Sequence, residues 1–101
     1  MGFEIKIYDD TGKLCSQYYI NKFDKLKRFL SIEDLDKKLG HEVRLLIETA
    51  LEKIRDEGYP IDKDVIACHG LWQMHVWWFA VRLNQILDIA VKYPYGRFDI
   101  S

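Results

Sequence analysis

From Val65 to Val81 the chain reads VIACHGLWQMHVWWFAV, with no Asp, Glu, Lys or Arg and with all three tryptophans, Trp72, Trp77 and Trp78. Charged residues make up 31% of the whole chain, so this gap is a concentration of apolar surface in one place. Water does not tolerate that much exposed aromatic area, so the segment is expected to lie against the protein's own core or against another chain. At 101 residues the chain is expected to form one domain, residues 1–101. A domain this small buries only about two-thirds of its unfolded surface. Its three Trp, six Tyr and five Phe strain that capacity.

The flanking sequence organises itself by period. Phe3, Ile5 and Ile7 alternate with Glu4, Lys6 and Tyr8, which predicts a half-buried strand. Asp9-Asp10-Thr11-Gly12 predicts a tight turn with Gly12 in the left-handed region. Leu14, Tyr18 and Ile20 then fall on one side of a second strand. With Asp9–Gly12 as the loop, Ile7 faces Leu14 and Phe3 faces Tyr18, whereas a one-residue slip sets Ile5 against Gln17.

Helical spacing takes over at Asn21. Its side chain is a suitable cap for a short helix from Lys22 to Leu30, with Phe23, Leu26, Phe29 and Leu30 on one face. Ser31-Ile-Glu-Asp34 resembles a capping box and predicts a second short helix over Ile32–Leu39, ended by Gly40. His41–Glu57 is the clearest amphipathic helix. Val43, Leu46, Ile47, Ala50, Leu51 and Ile54 share its apolar face, Leu45 is stranded among polar residues, and Gly58-Tyr59-Pro60 stops it. A long final helix follows, capped by Asp62 or Asp64. It starts near Asp64 or, if Gly70 interrupts, near Leu71, and it runs to Lys92 before Tyr93-Pro94-Tyr95-Gly96. Trp72, Val76, Phe79, Leu83, Ile86, Leu87 and Ala90 make a stripe that can pack on the preceding helix. Met74, Trp77, Trp78 and Val81 occupy the reverse side, and Arg97–Ile100 reads as a short last strand. The fold class expected is α+β: an N-terminal β-hairpin, one or two short helices, a long antiparallel helical pair and a short C-terminal strand.

Chemistry-bearing patterns are sparse. Cys68, His69 and His75 are the metal suspects, but Cys68 and His75 are two helical turns apart and His69 falls on another face. Cys68-His69 are adjacent and do not face each other on a helix, so they make a poor thiol–base pair. No catalytic, cofactor or metal residues are therefore assigned, and the leaning is away from an enzyme. Cys15 and Cys68 are expected to be reduced and structural, small buried hydrophobes of a reducing compartment. The N-terminus MGFEIKIYDD lacks the basic and apolar regions of a secretion signal, and Lys6 spoils a myristoylation pattern at Gly2. The uncharged run is short for a bilayer span and contains His69, Gln73 and His75, so no membrane crossing and a cytoplasmic location are expected.

Two binding surfaces remain. Met74, Trp77, Trp78 and Val81 form an aromatic helix face of the kind enriched at interface centres. Either the hairpin covers it, or another chain does: a second copy in a homodimer, or an unidentified protein partner. Lys22, Lys25, Lys27 and Arg28, beside Tyr18, Tyr19 and Phe23, offer cations and stacking rings to nucleic acid. The net charge of −1 gives no overall attraction to a polyanion, and Asp24, Asp34 and Asp36 dilute the cluster. The reading these residues favour is a small intracellular protein-binding module (a regulator, adaptor or inhibitor), working as a homodimer. Nucleic-acid contact through residues 22–38 is the alternative, and an enzyme with a scattered site is third.

Overall fold

The two alternating segments form an antiparallel pair, β1 (Gly2–Tyr8) and β2 (Leu14–Asn21). The computed structural model describes residues 2–22, 24–59 and 71–101, with side chains from residue 74 onward in the last segment. Phe23, Asp62, Asp64, Cys68, His69, Gly70 and the side chain of Trp72 lie outside the described residues.

The hairpin register differs by two residues from the expected one. Phe3 pairs with Ile20, Ile5 with Tyr18, and Ile7 with Ser16. The cause is in the turn. The Asp9 N–H donates to the Lys13 carbonyl at 2.9 Å, so Lys13 belongs to the loop. The next pair is Tyr8–Leu14, which leaves Cys15 as an extra residue in a bulge. A bulge sets two residues against one and changes which face the chain presents. Tyr18 and Ile20 stay on the inner face beside Ile5 and Phe3, while Leu14, expected with them, turns outward and is exposed. Gly12 does close the turn in the left-handed region, at φ 85°. The Asp9 carboxylate accepts from the Thr11 N–H (2.9 Å), the Thr11 hydroxyl (2.6 Å) and the Lys13 N–H (3.0 Å).

After β2 the chain makes two 3₁₀ turns instead of two α-helices. Asn21, expected as a helix cap, is the last residue of the strand. The first turn spans Asp24–Arg28, where the N–H groups of Phe29 and Leu30 both bond to the Leu26 carbonyl (3.0 and 3.3 Å) and close the turn rather than extend it. Leu26, Phe29 and Leu30 are nevertheless buried, as the spacing predicts. The second turn, Ile32–Leu35, uses the Ser31 carbonyl and not its side chain to hold Asp34 N–H at 3.0 Å. Residues 36–39 then run alongside the C-terminal strand, with Lys37 at φ 61°.

Gly40 therefore starts a helix and does not end one. Helix α1 (Gly40–Asp56) has no side-chain cap from Leu39, but its first free donors find partners beyond the helix. Gly40 N–H donates to the Gly96 carbonyl (2.9 Å) and His41 N–H to the Pro94 carbonyl (2.8 Å). At the far end Gly58 N–H bonds to Arg55 O and Tyr59 N–H to Ile54 O, with Gly58 at φ 86°, a Schellman ending. Helix α2 (Leu71–Lys92) packs on α1. The pair is antiparallel, since Gly40 at the start of α1 lies against the carbonyls of Ala90 and Tyr93 at the end of α2.

Strand β3 (Phe98–Ile100) joins β1 on the side away from β2, giving the order β2-β1-β3. Its pairs Ile5–Ile100 and Ile7–Phe98 extend the inner rows of the hairpin. Those rows meet the helices, and Ile5, Ile7, Val43, Ile47, Leu83, Ile86 and Phe98 are sealed in the shared core. The outer edge of β3 is occupied by the 36–39 segment: Lys37 N–H to Phe98 O (2.6 Å), Phe98 N–H to Lys38 O (2.9 Å), and Asp36 Oδ1 accepting from Ile100 N–H (2.9 Å). The architecture is the expected α+β.

Candidate interaction surface

The reverse side of α2 divides in two. Val76, Phe79, Ala80, Leu83, Ile86 and Ala90 face the core, with Leu87 half-buried beside them. Of the four aromatic-face candidates, Trp77 is only 9% exposed, Val81 is half-buried, Met74 is 44% exposed and Trp78 is 57% exposed. Trp77 and Trp78 touch edge to face, with ring centroids 4.8 Å apart. Helical geometry explains the division, because adjacent residues point about 100° apart and both cannot enter the same packing layer. The one left outside is Trp78.

Trp78 stands at the rim of a groove of about 200 Å³ between the end of β2 and the first half of α2. Tyr19, Ile20 and Asn21 supply the strand side, and Leu26 comes from the 3₁₀ turn. His75, Trp78, Phe79, Val81, Arg82 and Gln85 supply the helix side. Arg82 is held on two sides: its guanidinium lies 5.1 Å from the Tyr18 ring centroid and donates to Gln85 Oε1 at 2.7 Å. The groove thus mixes apolar side chains (Ile20, Leu26, Phe79 and Val81) with the Arg82 guanidinium, the Asn21 and Gln85 amides and His75. Of the four aromatic-face candidates, Trp78 and Val81 line this groove and Met74 and Trp77 do not, and sequence reasoning did not point to its strand side. A signal for the strand was present, since LCSQYYIN has no charged residue and no proline, the usual guards of an exposed strand.

The lysine-rich candidates adjoin this groove: Lys22 and Lys27 line a smaller one that shares Ile20, Asn21, Leu26 and Phe79 with it. Lys27 lies 3.8 Å from Asp24, Arg28 is paired with Glu57 and stacks 4.7 Å from the Phe29 ring, and Lys22 sits 6.0 Å from the Phe3 ring. Lys25 is exposed. Lys25, Lys27 and Arg28 lie in the 3₁₀ turn Asp24–Arg28, whose buried residue is Leu26.

Cys15 is a free thiol in the bulge, exposed, with its Sγ donating to the Ile7 carbonyl at 3.3 Å. It is not the small buried hydrophobe expected, because it lies off the inner face taken by Tyr18 and Ile20. Hydrogen bonds to Asp9, that from the Thr11 hydroxyl foremost, hold its carboxyl below the ordinary carboxylate range. Among the described residues no group of three His, Cys, Asp or Glu side chains is placed to hold a metal ion. No described helix is long and apolar enough to cross a membrane. Compared with protein-family models, with curated proteins and with solved structures, the chain finds no match.

Proposed function

We propose that this protein is a small cytoplasmic protein-binding module, a regulator, adaptor or inhibitor, that works as a homodimer through the Trp78 side of α2. The observation that carries the reading is the exposure of Met74 and Trp78 on the first half of α2, with Trp78 lining a groove against the end of β2. A Trp with more than half its surface in water has not been placed there by core packing, and Trp and Met are enriched at the centres of protein interfaces. The exposed thiol of Cys15 fits a reducing compartment.

Nucleic-acid contact is the weaker reading. Phosphate binding draws on cations able to exchange counterions for phosphates. Lys27 and Arg28 each already face a carboxylate.

The test is the solution mass at high micromolar concentration, by light scattering or sedimentation, for the wild type and Trp78→Glu. Trp78 is exposed in the single chain, so a glutamate there leaves the fold intact, whereas in a dimer it becomes a charge buried at the contact. The expected result is a dimer for the wild type and a monomer with unchanged circular dichroism for the variant. Interface Trp residues typically contribute about 2 kcal/mol or more, near thirtyfold in affinity. A wild type of monomer mass overturns the reading.

A further inference from the structure

We propose that two copies of this chain join by antiparallel pairing of β2 with β2, centred on Tyr19, into one continuous six-stranded sheet. The inference rests on the self-association proposed above and specifies its geometry.

Backbone direction carries the argument. Glu4 and Ser101 exchange both hydrogen bonds at 3.0 Å, and Tyr8 N–H donates to Arg97 O at 2.9 Å. In an antiparallel ladder a residue's N–H and C=O point to the same side, and successive residues alternate. The even-numbered residues of β1 therefore serve β3, and Phe3, Ile5 and Ile7 serve β2. Their partners Ile20, Tyr18 and Ser16 are consumed within the sheet. Gln17, Tyr19 and Asn21 direct their N–H and C=O groups outward. All three are exposed, and β2 is an edge strand. Unpaired groups in this array accept one kind of occupant, another extended strand.

The two edges of the sheet are not alike. The outer edge of β3 is taken by residues 36–39. Among the described residues no strand takes the outer edge of β2. Nor does β2 carry the charges or prolines that keep an edge from pairing. A second copy offers the same uncharged strand, and a twofold axis makes that strand complementary to itself.

The register follows from the same alternation. Outward residues must oppose outward residues. Setting Tyr19 against Tyr19 places Gln17 against Asn21 on each side, so all three outward residues beyond the Cys15 bulge are paired. Moving the axis to Tyr18 would bring the bulged Cys15 opposite Asn21 and leave a regular pair unmade. In the Tyr19 register the second copy's Tyr18 and Ile20 fall on the inner face, at the open side of the groove that Trp78 and Val81 line. Strand pairing and burial of Trp78 then occur in one contact.

Two measurements test this. In a chain carrying Cys15→Ser and Cys68→Ser, Tyr19→Cys should form an intermolecular disulfide on mild oxidation with copper phenanthroline. Residues directly opposed in such a pair have Cα atoms about 4.5–5.5 Å apart, within disulfide reach. Gln17→Cys in the same background should not, because the axis separates it from its mate by four residues, about 13 Å. Second, Tyr19→Pro removes an N–H that faces solvent in the single chain, so the sheet keeps its own bonds. Both cross-axis hydrogen bonds donated by residue 19 disappear, and dimerisation should weaken about tenfold or more. A wild-type dimer in which Gln17→Cys links as readily as Tyr19→Cys, or in which neither links, overturns the strand pairing while leaving the Trp78 contact standing. A wild type that stays monomeric overturns both.

Discussion

Replacing Gly40 by alanine tests the junction that organises the helical pair. On propensity alone the change favours the first turn of a helix by up to about 1 kcal/mol. The structure predicts the opposite sign. A Cβ built on Gly40 meets the Tyr93 carbonyl oxygen at 2.1 Å, the Ala90 carbonyl oxygen at 2.8 Å and the Tyr93 carbonyl carbon at 3.0 Å. All three are backbone atoms, so no rotamer change relieves the overlap. The start of α1 must back away from the end of α2. That strains the two bonds anchoring it there, Gly40 N–H to Gly96 O and His41 N–H to Pro94 O. Overpacking costs about 1–3 kcal/mol and the two hydrogen bonds about 1 kcal/mol each, so the net loss is about 2–4 kcal/mol after the helix gain is subtracted. In a domain of this size that lowers Tm by roughly 10–25 °C. Gly58→Ala is the control. A Cβ there meets nothing within 4 Å, and the penalty is the φ of 86° alone, about 1–2 kcal/mol. Urea unfolding followed by circular dichroism gives both values. If Gly40→Ala is as stable as the wild type, or less damaging than Gly58→Ala, then α1 does not approach α2 as described and the role assigned to Gly40 is wrong.

Trp77→Ala should destabilise the single chain by about 3–5 kcal/mol, the usual range for truncating a buried Trp. Trp78→Ala should lose only about 1 kcal/mol, the value of an edge-to-face ring contact; urea midpoints in the reverse order would show that the two indoles have been exchanged. Asp9→Ala should give a stability deficit that depends on pH. The folded-state pKa of Asp9 is lowered, so its contribution is present above the unfolded value near about 3.9 and is lost as the pH falls through the folded one. The gap between wild-type and variant urea midpoints should therefore be full at neutral pH and shrink in acid. A gap that stays constant with pH would mean that Thr11 and Lys13 do not favour the ionised carboxylate.

Local pattern was enough for every element that local forces control. Alternation marked β1 and β2, and the residue pair Asp9 and Gly12 marked the turn between them, because both signals lie within a few residues of the structure they direct. The 3.6-residue stripe marked α1, and Gly58 marked its stop, because a left-handed residue is the simplest way to satisfy the last carbonyls. Arg97–Ile100 was recognisable as a strand for the same reason.

What the sequence alone determined, then, is the placement of β1, β2, α1, α2 and β3 along the chain, whereas the two short helices expected over residues 22–39 are 3₁₀ turns followed by a segment that pairs with β3. Tertiary structure decided the rest. The Cys15 bulge depends on how the loop meets both strands, so periodicity placed Leu14 on the wrong face. Gly40 looks like a helix stop until the carbonyls of Ala90 and Tyr93, some fifty residues away, show that it is there for close approach. Trp77 and Trp78 are equivalent in composition and adjacent in sequence, and only the position of their neighbours buries the first and exposes the second. The open edge of β2 is likewise invisible in one strand's residues, since an edge exists only once the order β2-β1-β3 is known. Each of these is a choice among locally equal alternatives, and contacts distant in sequence supply the free energy that separates them.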